Sequence, residues 1–266
     1  LAVSYIEGGS AYYVHDHVSA AKKAAFIHVD YVQAGYTRRL DKDCYVDFDR
    51  IFAVSDETAG VFAGVYPECQ QKLSVFHNLI DTEAIRQKAL LPAEKSMHEG
   101  IRLLTPQKGF DYAVYALKLL LEKQYPVYWY IIGEGPEYGR LTQLARSLHV
   151  ENHFIFLGMQ TNPYPYFKMA DFYIHATRFE GKSIAIQEAQ VLGCAIAASD
   201  CSGNREQIVS GVDGLLCPFS PEGIANAVEY LIEHPQTAQS FGREAAQKAC
   251  HFENDIHMIR DLLYLP

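Results

Sequence analysis

The chain has 266 residues, 49% of them hydrophobic, which is enough for one or two buried cores at about 100–200 residues per domain; two is the expectation. A formal net charge of -9 argues against the broad basic surface that displaces counterions from nucleic acid, so any anionic ligand must be held by a local site. Six cysteines (Cys44, Cys69, Cys194, Cys201, Cys217 and Cys250) form no CxxC pair, which argues against a zinc ribbon or a disulfide framework and predicts reduced thiols in a cytoplasmic protein. No run approaches the roughly 18–20 apolar residues that span a bilayer, and the start lacks a secretory pattern.

In chain order, residues 1–6 are an apolar run with no initiating Met and read as a strand already inside a domain, which predicts a first domain truncated at its N-terminus. His15-Asp16-His17 read as solvated loop residues, because no third metal ligand follows at a sensible spacing. Residues 24–29 and 50–54 are short and apolar on both faces, as buried parallel strands are. Residues 30–48 read as a loop plus helix, and 56–65 as a helix capped by Ser55. With 73–76 these form a partial Rossmann-like domain over residues 1–80, followed by a connecting helix and linker over 81–99.

From residue 100 the alternation is regular. Strands are predicted at 101–104, 128–132, 154–157, 172–175, 195–198 and 214–217, and helices at 111–123, 137–148, 164–169, 184–192 and 206–209. This α/β pattern predicts a second Rossmann-like domain over 100–252, with a parallel sheet covered on both faces and ligands outside the carboxyl ends of its strands. Residues 221–233 and 253–263 are amphipathic helices. The second presents Ile256, Ile259, Leu262 and Leu263 at helical spacing and needs an apolar surface to cover.

The richest stretch is His175-Ala-Thr-Arg-Phe-Glu-Gly-Lys-Ser-Ile-Ala-Ile-Gln-Glu-Ala-Gln-Val-Leu-Gly193. A strand ends near His175, a loop carries Glu180, Gly181 and Lys182, Ser183 is placed to cap a helix starting at Ile184, and Gly193 is placed to stop it. Free N–H groups and the positive end of the helix dipole suit a phosphate there, and Gly181 allows close backbone approach. Glu188 lies one turn inside the helix, about 6 Å along its axis from Ile184, where a carboxylate can accept from a vicinal diol such as a ribose. A glutamate pair taken alone is ordinarily two solvated charges, so the weight rests on this context.

The spacing of Glu180 and Glu188 resembles the Glu-x7-Glu motif of family-four glycosyltransferases, and Ala189, Leu192 and Gly193 resemble its helix. The resemblance continues through Ala198-Ser-Asp-Cys-Ser-Gly-Asn-Arg-Glu206 and Gly211-Val-Asp-Gly-Leu-Leu216 and covers roughly residues 24–263. Thr105-Pro-Gln-Lys-Gly-Phe-Asp111 resembles the family's Lys-Gly turn, which makes Lys108 the candidate to reach a diphosphate; Gly133-Glu-Gly-Pro136 matches its strand-end glycines. A dinucleotide fingerprint is disfavoured by Pro136 and by the lack of an acidic residue in the 154–157 strand.

The resemblance implies a GT-B fold of two Rossmann-like domains, with residues 253–266 crossing back to the first. It also implies a retaining, metal-independent hexosyltransferase that moves a sugar from a nucleoside diphosphate sugar, with no other cofactor, to a saccharide or lipid-linked acceptor. Glu188 would hold the ribose and Glu180 the donor sugar. Lys108, Gly181, Lys182, Ser183, Ile184 and Gly133 would bind the donor. His28, at the end of its strand and structural by default, would face the reacting sugar. Nucleic acid is not an expected partner; peripheral membrane association through a lipid-linked acceptor is. Two features depart from the family: Leu103-Leu104 runs directly into Thr105 where a Gly-Arg pair is usual, and Lys182-Ser183 replaces the commoner Phe-Gly, as in a bacterial subgroup working on surface polysaccharides. A nucleotide-sugar epimerase and a non-catalytic nucleotide-sugar-binding module are the competing readings.

Overall fold

Short apolar runs become parallel strands in two separate sheets, and a computed structural model describes residues 1–106, 110–252 and 255–264. Contacts divide the chain into two units. The first holds Leu1–Leu79, Phe179–Ser183 and Glu253–Pro266, and the second Ile80–Arg178 and Ile184–Phe252.

The first unit contains β1 (Ala2–Ser4), α1 (Gly9–His17), β2 (Lys23–Ile27), α2 (Arg38–Asp41), β3 (Arg50–Ala53), α3 (Asp56–Val65) and β4 (Leu73–Val75), with 3-10 turns at Cys44–Asp47 and Pro67–Lys72. Its four strands are parallel in the order β1-β2-β3-β4. Ile27, Tyr31, Tyr45, Phe62 and Tyr66 pack together in its principal core. Ser55 caps α3 by accepting from Thr58 N at 3.1 Å, and Asp56 and Glu57 in the first turn complement the helix dipole.

His15 and His17 lie in α1 rather than in a loop. Gly8, at φ 74°, turns the chain from β1 into a helix that no side chain caps and that buries only Ala11 and Val14, so its periodicity is faint in the sequence. His15 lies 2.6 Å from Asp16 and 2.8 Å from Asp47, and those hydrogen bonds raise its pKa.

The second unit contains α4 (Thr82–Lys88), β5 (Ile101–Pro106), α5 (Phe110–Glu122), β6 (Val127–Ile132), α6 (Tyr138–Ser147), β7 (Phe154–Gly158) and α7 (Tyr164–Met169). It continues with β8 (Phe172–His175), α8 (Ile184–Val191), β9 (Ala195–Ser199), α9 (Ser202–Arg205), β10 (Leu215–Cys217), α10 (Pro221–Glu233) and α11 (Pro235–Ala249). The six strands are parallel in the order β10-β9-β8-β5-β6-β7, so the topology reverses between β5 and β8. Leu103, Trp129 and Ile174 face one core, and Leu104, Tyr130, Tyr173 and Ile186 the other. Trp129 Nε1 donates to Thr105 Oγ1 at 2.9 Å, and that hydroxyl donates to Ile174 O at 2.8 Å, which ties β6, β5 and β8 together at the switch.

Two elements of the second unit differ from the sequence expectation. The helix expected at 206–209 forms instead at Ser202–Arg205, where Asn204 Nδ2 donates to Ser199 O at 2.8 Å and pulls the first turn onto the end of β9. The unforeseen α11 buries Ala238, Phe241, Gly242, Ala245 and Ala249, a stripe that apart from Phe241 is too small in volume to stand out as hydrophobic. Its smallness has a use. A Cβ at Gly242 would lie 2.2 Å from Gly193 O, in the turn that ends α8. There Cys194 N donates to Ala189 O and Gly193 N to Gln190 O, both at 3.0 Å, with Gly193 at φ 69°: a Schellman motif that requires glycine. Gly242→Ala is therefore expected to lower stability by about 1–3 kcal/mol through overpacking, and a thermal melt matching the unmodified chain would show that the helices have room.

Helix α12 (Ile256–Tyr264) belongs by contact to the first unit. Met258 and Ile259 pack on Ala24, Phe26, Phe52 and Phe76, while Ile256 is partly exposed and the side chains of Leu262 and Leu263 lie outside the described residues. Asp255 Oδ2 accepts from His77 N at 2.7 Å and lies 2.7 Å from His77 Nδ1. Burial pushes the Asp255 carboxyl up, but these bonds outweigh it and hold it below its ordinary value.

Candidate functional site

The strands that flank the topological switch, β5 and β8, lead into the two loops that matter. The first contains Lys108, which lies outside the described residues. The second leaves β8 at buried His175 and is clamped to β9: Thr177 N donates to Ser199 Oγ at 2.9 Å, and that hydroxyl donates to Thr177 O at 2.6 Å. Next comes Arg178, whose guanidinium carbon lies 5.3 Å from the Tyr112 ring centre and 5.2 Å from that of Phe219, a cation–π arrangement that fixes the strand exit.

Residues 179–183 pack with the first unit. A Cβ at Gly181 would lie 1.9 Å from His28 O, so only glycine permits this approach, and Asn78 Nδ2 donates to Lys182 O at 3.0 Å. Glu180 and Ser183 are buried. The loop that carries Glu180, Gly181 and Lys182 is thus set against the residue after β2. His28 N donates to Glu7 Oε2 at 2.9 Å; Nδ1 of the same residue is buried, has no hydrogen-bond partner among the described residues and lies 3.8 Å from that oxygen, beyond hydrogen-bond reach. The Glu7 side chain is 4% exposed. Burial alone would raise its carboxyl, yet the neighbouring His28 and the backbone donors bring it below the ordinary value, so it is an anion at neutral pH.

In the second unit, α8 begins at Ile184, 51% exposed, and carries no acidic residue in its first turn to oppose an anion at its N-terminus. Ile186 and Ala189 anchor the helix in the core. Glu188 is partly buried and its Oε1 accepts from the Tyr164 hydroxyl at 2.8 Å. Burial raises the Glu188 carboxyl, and the Tyr164 bond offsets only part of the rise; burial and the carboxylate push the Tyr164 phenol up to about 12. Gly133, at φ 118°, donates to Gly158 O at 2.9 Å and lines a cavity of about 430 Å³ with Lys95, Glu134, Tyr138, Phe156 and Gly158.

Residues 81–248 match the family described as Glycosyl transferases group 1. The chain belongs to this family. It is 27% identical over 195 residues to the N-acetylgalactosamine-N,N'-diacetylbacillosaminyl-diphospho-undecaprenol 4-alpha-N-acetylgalactosaminyltransferase of Campylobacter jejuni, covering 73% of this chain and 53% of that one. It is 25% identical over 180 residues to an uncharacterized glycosyltransferase of Methanocaldococcus jannaschii, covering 64% and 42%. The chain thus spans about half the length of these curated relatives. A crystal structure of Anabaena Alr3699/HepE in complex with UDP shares the fold at a TM-score of 0.78 and 18% identity, covering 92% of this chain and 72% of that one. The fold is the GT-B type, with two parallel α/β sheets.

Lys108, Gly133, the Glu180–Glu188 stretch and Tyr164 fall inside the region matched to the family, whereas Glu7, His28 and Asn78 precede it. Glu7, Asn78, Tyr164 and Arg178 are contacts that the sequence did not single out. For Glu7 a signal was present, an acid followed by Gly8-Gly9 directly after a strand.

Proposed function

We propose that this chain carries the donor site of a retaining, metal-independent hexosyltransferase that moves a sugar from a nucleoside diphosphate sugar to an acceptor hydroxyl. The observation that carries the reading is Glu188, a partly buried carboxylate hydrogen-bonded by Tyr164 one turn into the helix that follows the Glu180–Gly181 loop. Glu188 accepts from the ribose diol. The N–H groups at Ser183 and Ile184, with Lys108, Lys182 and the Gly133 turn, receive the diphosphate where negative charge develops as the sugar departs. Glu180 orients the donor sugar and His28 faces it. The nucleotide sugar is a substrate, and no further cofactor is required. The Campylobacter relative's name contains a diphospho-undecaprenol, which supports a lipid-linked or saccharide acceptor in polysaccharide or glycolipid synthesis, on the cytoplasmic face of a membrane.

Incubation with UDP- and GDP-sugars and candidate acceptors, with chelator present, should give a nucleoside diphosphate and a glycoside of unchanged anomeric configuration. A changed nucleotide sugar formed without acceptor would identify an epimerase instead, and tight binding without turnover a binding module. Glu180→Ala is expected to lower turnover more than nucleotide affinity, because its partner is the sugar; equal losses in both would remove it from that role.

A further inference from the structure

We propose that Tyr164 is a positioning residue for the nucleotide: it holds the Glu188 carboxylate in the orientation that accepts a ribose diol. The inference rests on the reading of Glu188 as the ribose ligand and adds a second residue to it. The Tyr164 ring is set in an apolar cluster with Ile80, Ile85, Val191, Leu192, Ala249 and Phe252. With the ring so anchored, its hydroxyl reaches across to α8 and donates to Oε1 at 2.8 Å, while Oε2 has no partner among the described residues. A Glu side chain free in solution samples many rotamers, and one fixed donor removes most of that freedom before the ligand arrives. The bond also biases the state of the acid. A phenol donates to an ionised carboxylate, so Tyr164 offsets part of the burial that favours the neutral form and favours the acceptor-only state. That arrangement suits hydroxyl donors and rejects a ribose analogue lacking them.

The elements packed on α8 carry other charges: Glu83, Arg86 and Lys88 on α4, Lys168 on α7, and Arg243, Glu244 and Lys248 on α11. Among the described residues none of these forms an ion pair with Glu188, and Tyr164 is the one titratable side chain whose bond shifts it. Removing the phenol oxygen therefore tests a single interaction.

The test is a calorimetric titration of UDP, GDP and ADP, each also as its 2′,3′-dideoxy analogue, into the unmodified chain, Tyr164→Phe, Glu188→Ala and the double variant. For the diphosphate that binds tightest, Tyr164→Phe should weaken affinity about tenfold, the scale of a hydrogen bond to a charged group. It should change the dideoxy analogue's affinity less than twofold and add nothing in the Glu188→Ala background, since a coupled pair is non-additive. Equal losses for the ribose and dideoxy forms, or an undiminished loss in the Glu188→Ala background, would make Tyr164 a packing residue and overturn the proposal. So would an unchanged affinity in Tyr164→Phe alongside a large loss in Glu188→Ala, which leaves the Glu188 reading standing. Unchanged affinity in Glu188→Ala, or no binding of any of the three diphosphates, overturns that reading itself.

Discussion

Replacing Glu188 by Ala is expected to weaken nucleoside diphosphate binding by about 1–3 kcal/mol, tenfold for each 1.4 kcal/mol, because the charge-assisted hydrogen bonds proposed to the ribose are lost. The same position should show an opposite effect on stability. Burial raises the Glu188 carboxyl in the folded chain. A group with a raised folded value contributes stability that is fully present below its unfolded value, near 4.3 for a glutamate, and lost as pH rises through the folded one. The ionised side chain therefore opposes folding. Glu188→Gln keeps an oxygen for the Tyr164 hydroxyl and removes the charge, so it should melt higher than the unmodified chain at pH 8, with the gain shrinking toward pH 4. Loss of ligand affinity together with a gain in melting temperature is the signature of a residue kept for binding at the expense of the fold. An unchanged dissociation constant for Glu188→Ala would remove the residue from the site, and a Glu188→Gln variant that melts lower at both pH values would show that the carboxylate serves the fold.

The strands were legible because both faces of each sheet are covered. Residues 24–27, 51–53 and 172–174 are apolar without alternation, as buried parallel strands must be. The helices α1 and α11 were not, since one buries two small side chains and the other packs through a single phenylalanine among alanines and a glycine, where closeness more than hydrophobicity makes the contact. The same distinction holds for the site. Glu180, Gly181 and Glu188 are readable because strand end, loop and helix start are contiguous in sequence. The groups that hold them come from far along the chain: Glu7 reaches His28 over 21 residues, Tyr164 reaches Glu188 over 24, and Asn78 reaches Lys182 over 104. No local pattern encodes such pairs. A sequence shows which groups can do chemistry more readily than which groups orient them.

Gly181→Ala is expected to reduce turnover about a hundredfold, the scale of a displacement of about 1 Å in a catalytic geometry. Gly181 is not the site of a left-handed turn, for it is absent from the residues of positive φ, so an alanine would meet no backbone strain there. Its requirement is a contact. The added Cβ would lie 1.9 Å from the His28 carbonyl oxygen and 2.9 Å from its carbon, and both are backbone atoms that cannot rotate away. The His28 carbonyl follows β2, whose Ile27 pairs in register with Ala53 of β3, and its own N–H is held by buried Glu7. The strand side is therefore the stiffer partner, and the loop must move. That loop carries Glu180 as the preceding residue and Lys182, whose carbonyl accepts from Asn78, as the next, so its displacement shifts the two side chains proposed to meet the donor sugar and phosphate. Glu188 sits in α8, anchored by Ile186 and Ala189 in the core, and has no reason to follow. Nucleoside diphosphate affinity should accordingly change much less than turnover, the reverse of the Glu188→Ala pattern. Turnover within a few-fold of the unmodified chain would show that the loop need not rest against His28 for the reaction, and a loss of melting temperature matching the loss of activity would show that the contact serves only the fold.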